Sequence, residues 1–259
     1  MGRTPRNMDK KYWDGMARQY EREIFSVLHA DTDRRVAKAI GKVASQKKSV
    51  VDVGCGIGHF LSVLSSAFGR VYANDISPDL LKRAQETHGH LSNIRFLAGD
   101  IREAFRGLPR ADVVLSVNSA IASSVTIHLG MLKTMSGLLK PGGHLVLVVP
   151  ALESALLVDV RYAEWKRRNG MLPERAQRSV YKRDPEGEHR LRQGVVPVDG
   201  VMTRHYFSEE LEVLLGEVGL DVLSTEKIPY PWGTEFEAPP RWMKAPYPWD
   251  WLLLARKKR

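Results

Sequence analysis

The stretch that decides the fold runs from Val50 to Gly58 and reads Val-Val-Asp-Val-Gly-Cys-Gly-Ile-Gly. Its apolar start is typical of a buried strand, and the apolar spacing of residues 59–68 is helical. The sequence therefore predicts a strand, a glycine loop and a helix. The glycines let a ligand approach the backbone closely, and the free N–H groups at the start of the helix suit a polar or negative group.

The same alternation of strand and helix continues to residue 150. Further strands are expected at 69–75, 93–98, 111–117 and 143–149. Apolar strands that alternate with helices predict a doubly wound α/β fold, in which helices cover both faces of a parallel sheet. Ligands bind such folds beyond the carboxyl ends of the strands. The glycine loop, Asp75, Asp100 and Asn118 follow four of these strands, so we expect them to meet at one crevice.

The residue types at this crevice predict an adenosyl ligand. Asp75 ends the second strand, where an acid accepts two hydrogen bonds from a ribose diol in nucleotide-binding sheets. Asp100 can accept a hydrogen bond from an adenine amino group, and Ile101 can pack on the ring. A nicotinamide dinucleotide is the obvious competitor. Its fingerprint requires glycine or alanine where this chain has His59, so it is disfavoured.

These motifs resemble, in order, those of the class I S-adenosylmethionine-dependent methyltransferases. The resemblance covers residues 45–150 and includes Asn74-Asp-Ile-Ser-Pro78 and Leu139-Lys-Pro-Gly-Gly143. It implies an enzyme that uses S-adenosylmethionine. It also implies a seven-stranded, mostly parallel sheet of order 3-2-1-4-5-7-6 with an antiparallel last strand. The two final strands are expected at 220–228 and 249–256.

The resemblance also implies which residues contact the cofactor. The glycine loop holds the methionine end, Asp52 orients the loop or reaches the methionine ammonium, and Asp75 binds the ribose. Asp100 and Ile101 hold the adenine, whereas Asn118 and Ser119 face the sulfonium and the methyl acceptor. The candidate cofactor residues are Tyr20, Asp52, Gly54, Cys55, Gly56, Gly58, Asp75, Ile76, Asp100, Ile101, Asn118 and Ser119.

An N-terminal segment, residues 1–44, is expected to form lid helices over the 45–150 core. Residues 11–21 place apolar and aromatic side chains on one helical face. Tyr20 is the candidate for a cofactor contact, and Tyr12 and Trp13 are candidates for a substrate contact. A helix that merely packs on the edge of the sheet is the alternative.

Residues 151–206 are expected to form an α+β cap inserted after strand 5, because long loops are usually functional. The pattern predicts a helix at 152–169 and a hairpin at 179–198 that turns at Asp184-Pro-Glu-Gly187. Nine Lys and Arg oppose four acids between residues 166 and 192. They form either a positive surface at the mouth of the crevice, suited to an anionic acceptor, or the solvated face of a hairpin.

Residues 207–259 are expected to supply the last helix and the β-hairpin that completes the sheet. Between them, residues 229–251 hold four of the six tryptophans among six prolines. Trp232, Phe236 and Trp242 are a candidate wall for an apolar or aromatic acceptor. Trp165 of the cap is a further candidate for a substrate contact. Packing over the edge of the sheet is an equal alternative, since aromatic residues dominate packing energetics.

Methyl transfer from a sulfonium depends chiefly on in-line positioning. A hydroxyl acceptor would also need a base, for which His128 and His205 are the candidates, with structural roles as the alternative. Cys55 is the only cysteine, which excludes a cysteine-cluster metal site, and no metal is expected. A single cysteine also agrees with a reducing compartment, so we expect a cytoplasmic protein.

The charge balance bears on the partner. There are 39 Lys and Arg and 30 Asp and Glu, a net charge of +9 that favours anionic partners. The chain lacks, after strand 4, the Asn/Asp-Pro-Pro-aromatic loop of nucleic-acid base methyltransferases. We therefore expect methylation of an oxygen or nitrogen of a small anionic or aromatic molecule. An RNA- or ribosome-directed methyltransferase and a non-catalytic adenosyl- or partner-binding protein are the alternatives. No apolar run approaches the roughly 20 residues of a membrane span.

Overall fold

A computed structural model describes residues 10–17, 26–181, 187–198 and 200–259. The strands are β1 (Ser45–Val53), β2 (Phe68–Asp75), β3 (Ile94–Ala98), β4 (Ala111–Val117), β5 (Leu139–Pro150), β6 (Val195–Val198), β7 (Val201–Arg204), β8 (Leu220–Pro229) and β9 (Trp249–Lys257). The helices before β5 are α1 (Lys10–Met16), α2 (Val27–Ala30), α3 (Arg35–Val43), α4 (Leu61–Ala67), α5 (Pro78–His88), α6 (Ile101–Ala104) and α7 (Val125–Leu138). Those after it are α8 (Leu152–Arg168), α9 (Pro173–Tyr181), α10 (Gly187–Arg192) and α11 (Ser208–Glu217), and a 3-10 turn spans Trp232–Thr234.

Seven strands form one sheet in the order β3-β2-β1-β4-β5-β9-β8. The pairs from β3 to β5 are parallel, and β9 runs antiparallel to both β5 and β8. Because β6 and β7 form a separate hairpin, β8 and β9 are the sixth and seventh strands of the sheet. The predicted fold class and strand order are confirmed.

The sheet is buried on both faces, as its apolar strands require. Neighbouring residues of β1 point to opposite sides, so Val51 packs in one core and Val50 in the other. Leu145 and Val146 divide in the same way on β5. The two cores hold the carboxyl ends of the parallel strands in register at one edge.

The helix starts follow local chemistry where the sequence supplies it. The Ser77 hydroxyl accepts a hydrogen bond from the Leu80 N–H at 3.3 Å, and Pro78 occupies the first turn of α5. No helix in the described part of the chain is long and apolar enough to cross a membrane.

The cap differs from its prediction. Residues 173–181 and 187–192 are helical, so the expected hairpin at 179–198 is wrong. Most of the turn expected at 184–187 lies outside the described residues. The hairpin lies later, where Val198 pairs with Val201 across a two-residue connection. The sequence between these two strands is Asp199-Gly200, and Asp-Gly is a stronger hairpin signal than the stretch Asp184-Pro-Glu-Gly187. Isolated bridges from Thr203 to Ala122 and from Tyr206 to Ala151 hold this end of the cap against the core.

Candidate functional site

A cavity of about 1640 Å³ lies at the carboxyl ends of the parallel strands. Gly54, Asp75, Asp100 and Asn118 all line it, as the strand pattern predicted. Residues of the cap also line the cavity. Among them are Val195 of the cap hairpin and His205, which directly follows the hairpin. Small-molecule sites usually occupy about 300–1,000 Å³. The cavity therefore has room for a cofactor and a second molecule.

The glycine loop is held tightly against the end of β4. Gly54 has a φ of +68°, and a Cβ there would lie 2.5 Å from the Cβ of Ser119. The Cys55 N–H donates to the Asn74 carbonyl at 2.9 Å, and the Gly56 N–H donates to Asp75 at 2.8 Å. Glycine is thus required at 54 by both space and backbone conformation.

Asp75 already organises the backbone of the site. Its Oδ2 accepts from the Gly56 N–H and its Oδ1 from the Ser77 N–H, each at 2.8 Å. Each carboxylate oxygen can accept a second hydrogen bond, so the group remains able to bind a diol. Burial raises the pKa of Asp75 to about 6, against the lowering effect of the two backbone N–H donors.

Asp52 is a buried carboxylate at the base of the cavity. It is 3% exposed and lines the cavity, and no hydrogen bond reaches it from the described residues. Burial, with a smaller effect from the charge of Asp75, raises the pKa of Asp52 to about 7. A cationic group bound beside it would favour the ionised form.

Asp100 is engaged by its neighbour Arg102. The guanidinium Nε donates to both carboxylate oxygens, at 2.9 and 3.1 Å, and the Arg102 N–H donates to Oδ1 at 2.9 Å. The pKa of Asp100 is lowered, first by this side-chain contact. A ligand would share this carboxylate with Arg102. Ile76 and the buried Ile101 line the same part of the cavity.

A polar cluster of Asn118, Tyr230 and Asp250 lies where β4, β8 and β9 reach the cavity; we call it the Asp250 cluster. The Asn118 Nδ2 and the Tyr230 hydroxyl both donate to Asp250 Oδ2 at 2.9 Å. Asn118 has a φ of +48°, and its buried Oδ1 has no partner among the described residues. Nearby, the hydroxyls of Ser116 and Ser119 lie 2.6 Å apart.

Sequence reasoning missed Asp250 and Tyr230. Their signal was available in the strand order: an antiparallel last strand begins, rather than ends, at the carboxyl edge of the parallel strands. Asp250 is the second residue of β9, and Tyr230 directly follows β8.

Of the two histidines proposed as bases, only one is among the described residues that line the cavity. His205 lines the cavity, and its Nδ1 lies 3.1 Å from the Thr203 carbonyl. Burial lowers the pKa of His205 to about 4, so it is a weak base. His128 is not among the described residues that line the cavity. Its Nδ1 lies 3.2 Å from the Ala122 carbonyl and its ring packs edge-on against Tyr206.

Of the aromatic residues proposed to contact the substrate, only two are among the described residues that line the cavity. Tyr12 and Trp13 line the cavity and contact each other edge to face, with ring centroids 5.0 Å apart. Trp165 and Trp232 instead pack in a separate apolar cluster around Phe236, and neither is among the described residues that line the cavity. Tyr20 lies outside the described residues.

The cavity wall is acidic although the chain is basic. None of the described Lys and Arg residues between 166 and 192 lines the cavity, so the structure does not place a positive surface there. Arg102 is the single Lys or Arg in the described lining, and it is bonded to Asp100. The lining carboxylates are Asp52, Asp75, Asp100, Asp159, Glu235 and Asp250. Among the described residues, no group of three or more His, Cys, Asp and Glu is arranged to hold a metal ion.

Comparison with known proteins gives one family match: residues 50–143 match the model of the methyltransferase domain. A phosphoethanolamine N-methyltransferase of Triticum aestivum is 26% identical over 153 residues, which are 54% of this chain and 29% of that protein. An uncharacterized methyltransferase of Mycobacterium tuberculosis is 34% identical over 110 residues, 41% of this chain and 54% of that protein. The chain thus covers less than a third of the wheat protein.

Among solved structures, the N-methyltransferase NodS from Bradyrhizobium japonicum, in complex with S-adenosyl-L-homocysteine, has a TM-score of 0.60. Its identity is 14%, and the match covers 96% of this chain and 98% of that one. The family match confirms the resemblance found in the sequence over residues 50–143, and the likeness to NodS shows the same fold. Residues 50–143 form a methyltransferase domain, and the sheet has the class I, Rossmann-like order.

Proposed function

We propose that the chain transfers the methyl group of S-adenosylmethionine to a nitrogen or oxygen of a small molecule. The observation that carries the proposal is the cavity itself. It joins the glycine loop, Asp75 and Asp100 on one side to the Asp250 cluster and the cap on the other. A cofactor half and an acceptor half therefore share one cavity beside the methyltransferase domain of residues 50–143.

The residues present fit the cofactor. Gly54 lines the cavity without a side chain, so the methionine portion can approach its backbone, and the unpaired Asp52 suits the methionine ammonium. Asp75 has lone pairs left for the ribose hydroxyls, and Ile101 offers an apolar surface for the adenine ring. When bound, the cofactor supplies an activated methyl group on a sulfonium, so the protein mainly orients and shields the reactants.

The mouth of the cavity supports a small molecule with an apolar portion. Exposed apolar side chains from α7, α8, α10 and β6 line it: Ile127, Leu156, Val160, Leu191 and Val198. Burying them against an acceptor would remove both from water. The RNA-directed alternative draws on the net charge of +9, but a nucleic-acid site is expected to line its groove with Lys and Arg, and the described lining holds only Arg102.

Calorimetric titration with S-adenosylmethionine and S-adenosylhomocysteine, at two salt concentrations, tests the cofactor assignment. We expect tight binding that changes little with salt, in a preparation whose absorbance shows no nucleic acid. Asp75→Ala should weaken binding by about 1.5–3 kcal/mol, the range for hydrogen bonds to a charged group. Asp221→Ala, an exposed carboxylate on β8 paired with Lys258, is the control and should bind normally.

Two outcomes would contradict the proposal. If neither ligand binds the folded wild-type protein, the cofactor assignment is wrong. If both bind but no acceptor is methylated across a panel of amines, alcohols and carboxylates, the chain is the non-catalytic binding protein named as an alternative above.

A further inference from the structure

Asp250 is a buried carboxylate, and one of its two oxygen atoms accepts no hydrogen bond from the described residues around it. It is 8% exposed, and both of its hydrogen bonds, from Asn118 and Tyr230, reach the same oxygen, Oδ2. No described donor bonds to Oδ1, and no described Lys, Arg or His forms an ion pair with the group. A buried carboxylate without a cation is costly, so its presence at a cavity wall points to a ligand.

A second, independent feature lies beside it. Asn118 Oδ1 is buried and has no hydrogen-bond partner among the described residues, while its Nδ2 is committed to Asp250. Unsatisfied buried acceptors are rare and call for an explanation. Asp250 Oδ1 and Asn118 Oδ1 are thus two free acceptors in one cluster on the cavity wall. A group with several N–H donors would satisfy both.

The charges of the cavity lining also favour a ligand with N–H donors. Three carboxyl groups of the lining, Asp52, Asp75 and Asp250, have no cationic partner among the described residues, and the one Arg or Lys of the described lining is bonded to Asp100. An anionic acceptor would meet repulsion there, whereas a protonated amine would be attracted. This reverses the expectation from the sequence, which linked the basic run of the cap to an anionic acceptor.

We infer that Asp250, positioned by Asn118 and Tyr230, binds the methyl acceptor, and that this acceptor is a basic amine methylated on nitrogen. The inference rests on the proposed function. The carboxylate of Asp250 first accepts a proton from the bound ammonium, which frees the nitrogen lone pair. The lone pair then forms the new N–C bond as the S–CH3 bond breaks, and the bonding pair of that bond remains on sulfur.

Sinefungin provides a direct probe, because it carries an amine in place of the sulfonium methyl group of the cofactor. We would measure its dissociation constant and that of S-adenosylhomocysteine by calorimetry for each variant. In wild type we expect sinefungin to bind about tenfold tighter than S-adenosylhomocysteine, the size of one charge-assisted contact. Asp250→Asn should abolish this preference and leave the affinity for S-adenosylhomocysteine unchanged.

The matched control is Asp221→Asn, which makes the same change on the paired strand β8, outside the cavity lining, and should keep the preference. Asn118→Gly provides a second variant, because glycine accepts the φ of +48° while the free Oδ1 is lost. We expect Asn118→Gly to reduce the preference for sinefungin over S-adenosylhomocysteine severalfold. This variant therefore tests the inference even if Asp250→Asn does not fold.

A sinefungin preference that survives in Asp250→Asn, or in Asn118→Gly where the first variant is unfolded, would overturn the inference. Absence of the preference in wild type would do the same. Loss of binding of both ligands by wild type is a different result, since it contradicts the proposed function rather than the role of Asp250.

Discussion

At the level of single residues, Gly54 is the position where the loop tolerates no side chain. A Cβ would lie 2.5 Å from Ser119 Cβ, and the φ of +68° disfavours alanine independently of space. We expect Gly54→Ala to lower the free energy of unfolding by about 1–3 kcal/mol and to weaken S-adenosylhomocysteine binding. Urea unfolding and calorimetry measure the two effects.

Gly137→Ala is the matched control for this prediction. Gly137 lies in α7, and a Cβ there would meet nothing within 4 Å outside its own helix. Alanine should therefore leave stability unchanged or raise it by about 0.5–1 kcal/mol. Equal effects of the two substitutions would show that Ser119 yields and that the close approach at Gly54 is unimportant.

Asp52 gives a prediction about pH. Its pKa of about 7 in the folded chain lies above the ordinary value of 3.8. Between those values the folded state holds a proton that the unfolded state has lost, so stability from this group is lost as pH rises toward and through 7. Asp52→Asn removes the effect and should exceed wild type in stability at pH 8, by on the order of 4 kcal/mol, but not at pH 4.

Urea unfolding of wild type and Asp52→Asn across this pH range measures the difference. Asp221→Asn should follow the wild-type pH dependence, because its carboxylate is exposed. Parallel curves for wild type and Asp52→Asn would mean that the Asp52 pKa is not raised in the folded protein.

The placement of residues at the cavity was predicted from sequence where it depends on local position. Asp75 and Asp100 follow strands of the parallel set, so their place at the cavity followed from the alternation of strands and helices. Asp250 depends on the antiparallel direction of β9, and its bond to Asn118 spans 132 positions of the chain. No periodicity in the sequence encodes that contact.

At the level of elements, the turn between the cap and α11 depends on the buried cation Arg204. Its guanidinium pairs with Glu210, donates to the His205 carbonyl and lies 4.5 Å from the Tyr206 ring centroid. Arg204→Ala removes these contacts from a buried site and leaves Glu210 without its partner. We expect the free energy of unfolding to fall by about 2–4 kcal/mol in urea denaturation.

Arg106→Ala provides the comparison for Arg204. Arg106 pairs with Glu103 on an exposed surface, where both side chains are more than half exposed. Such pairs contribute little, so its loss should change stability by less than about 0.5 kcal/mol. A similar small change for Arg204→Ala would show that its contacts do not stabilise this junction.

Elements were predictable where periodicity was strong. The limits of β4 agree with the predicted 111–117, and α8 begins at Leu152, where the pattern placed it. The cap hairpin was misplaced because Pro185 and Gly187 were read as a turn, while Val195–Val198 contains Pro197 and reads poorly as a strand. Thr203 pairs with Ala122 of the core, a tertiary contact that local pattern does not contain.

At the level of the whole molecule, charge is segregated. The chain carries +9 overall, yet the cavity lining has six carboxylates and one described arginine. The excess of Lys and Arg therefore lies outside the described lining. This arrangement was inaccessible to sequence reasoning, because composition gives the sum of the charges and only the fold assigns each to the surface or the cavity.

The segregation predicts that RNA binds the outer surface weakly and independently of the cavity. We expect a fluorescent RNA oligonucleotide to bind at low salt, with an association constant that falls steeply with salt as phosphate contacts are screened. Saturating RNA should leave the dissociation constant of S-adenosylhomocysteine unchanged, because ligands at uncoupled sites do not affect each other. Fluorescence anisotropy and calorimetry on the same preparation measure both. RNA binding that persists at high salt and strengthens or displaces S-adenosylhomocysteine would instead place the nucleic acid at the cavity and favour the RNA-directed alternative.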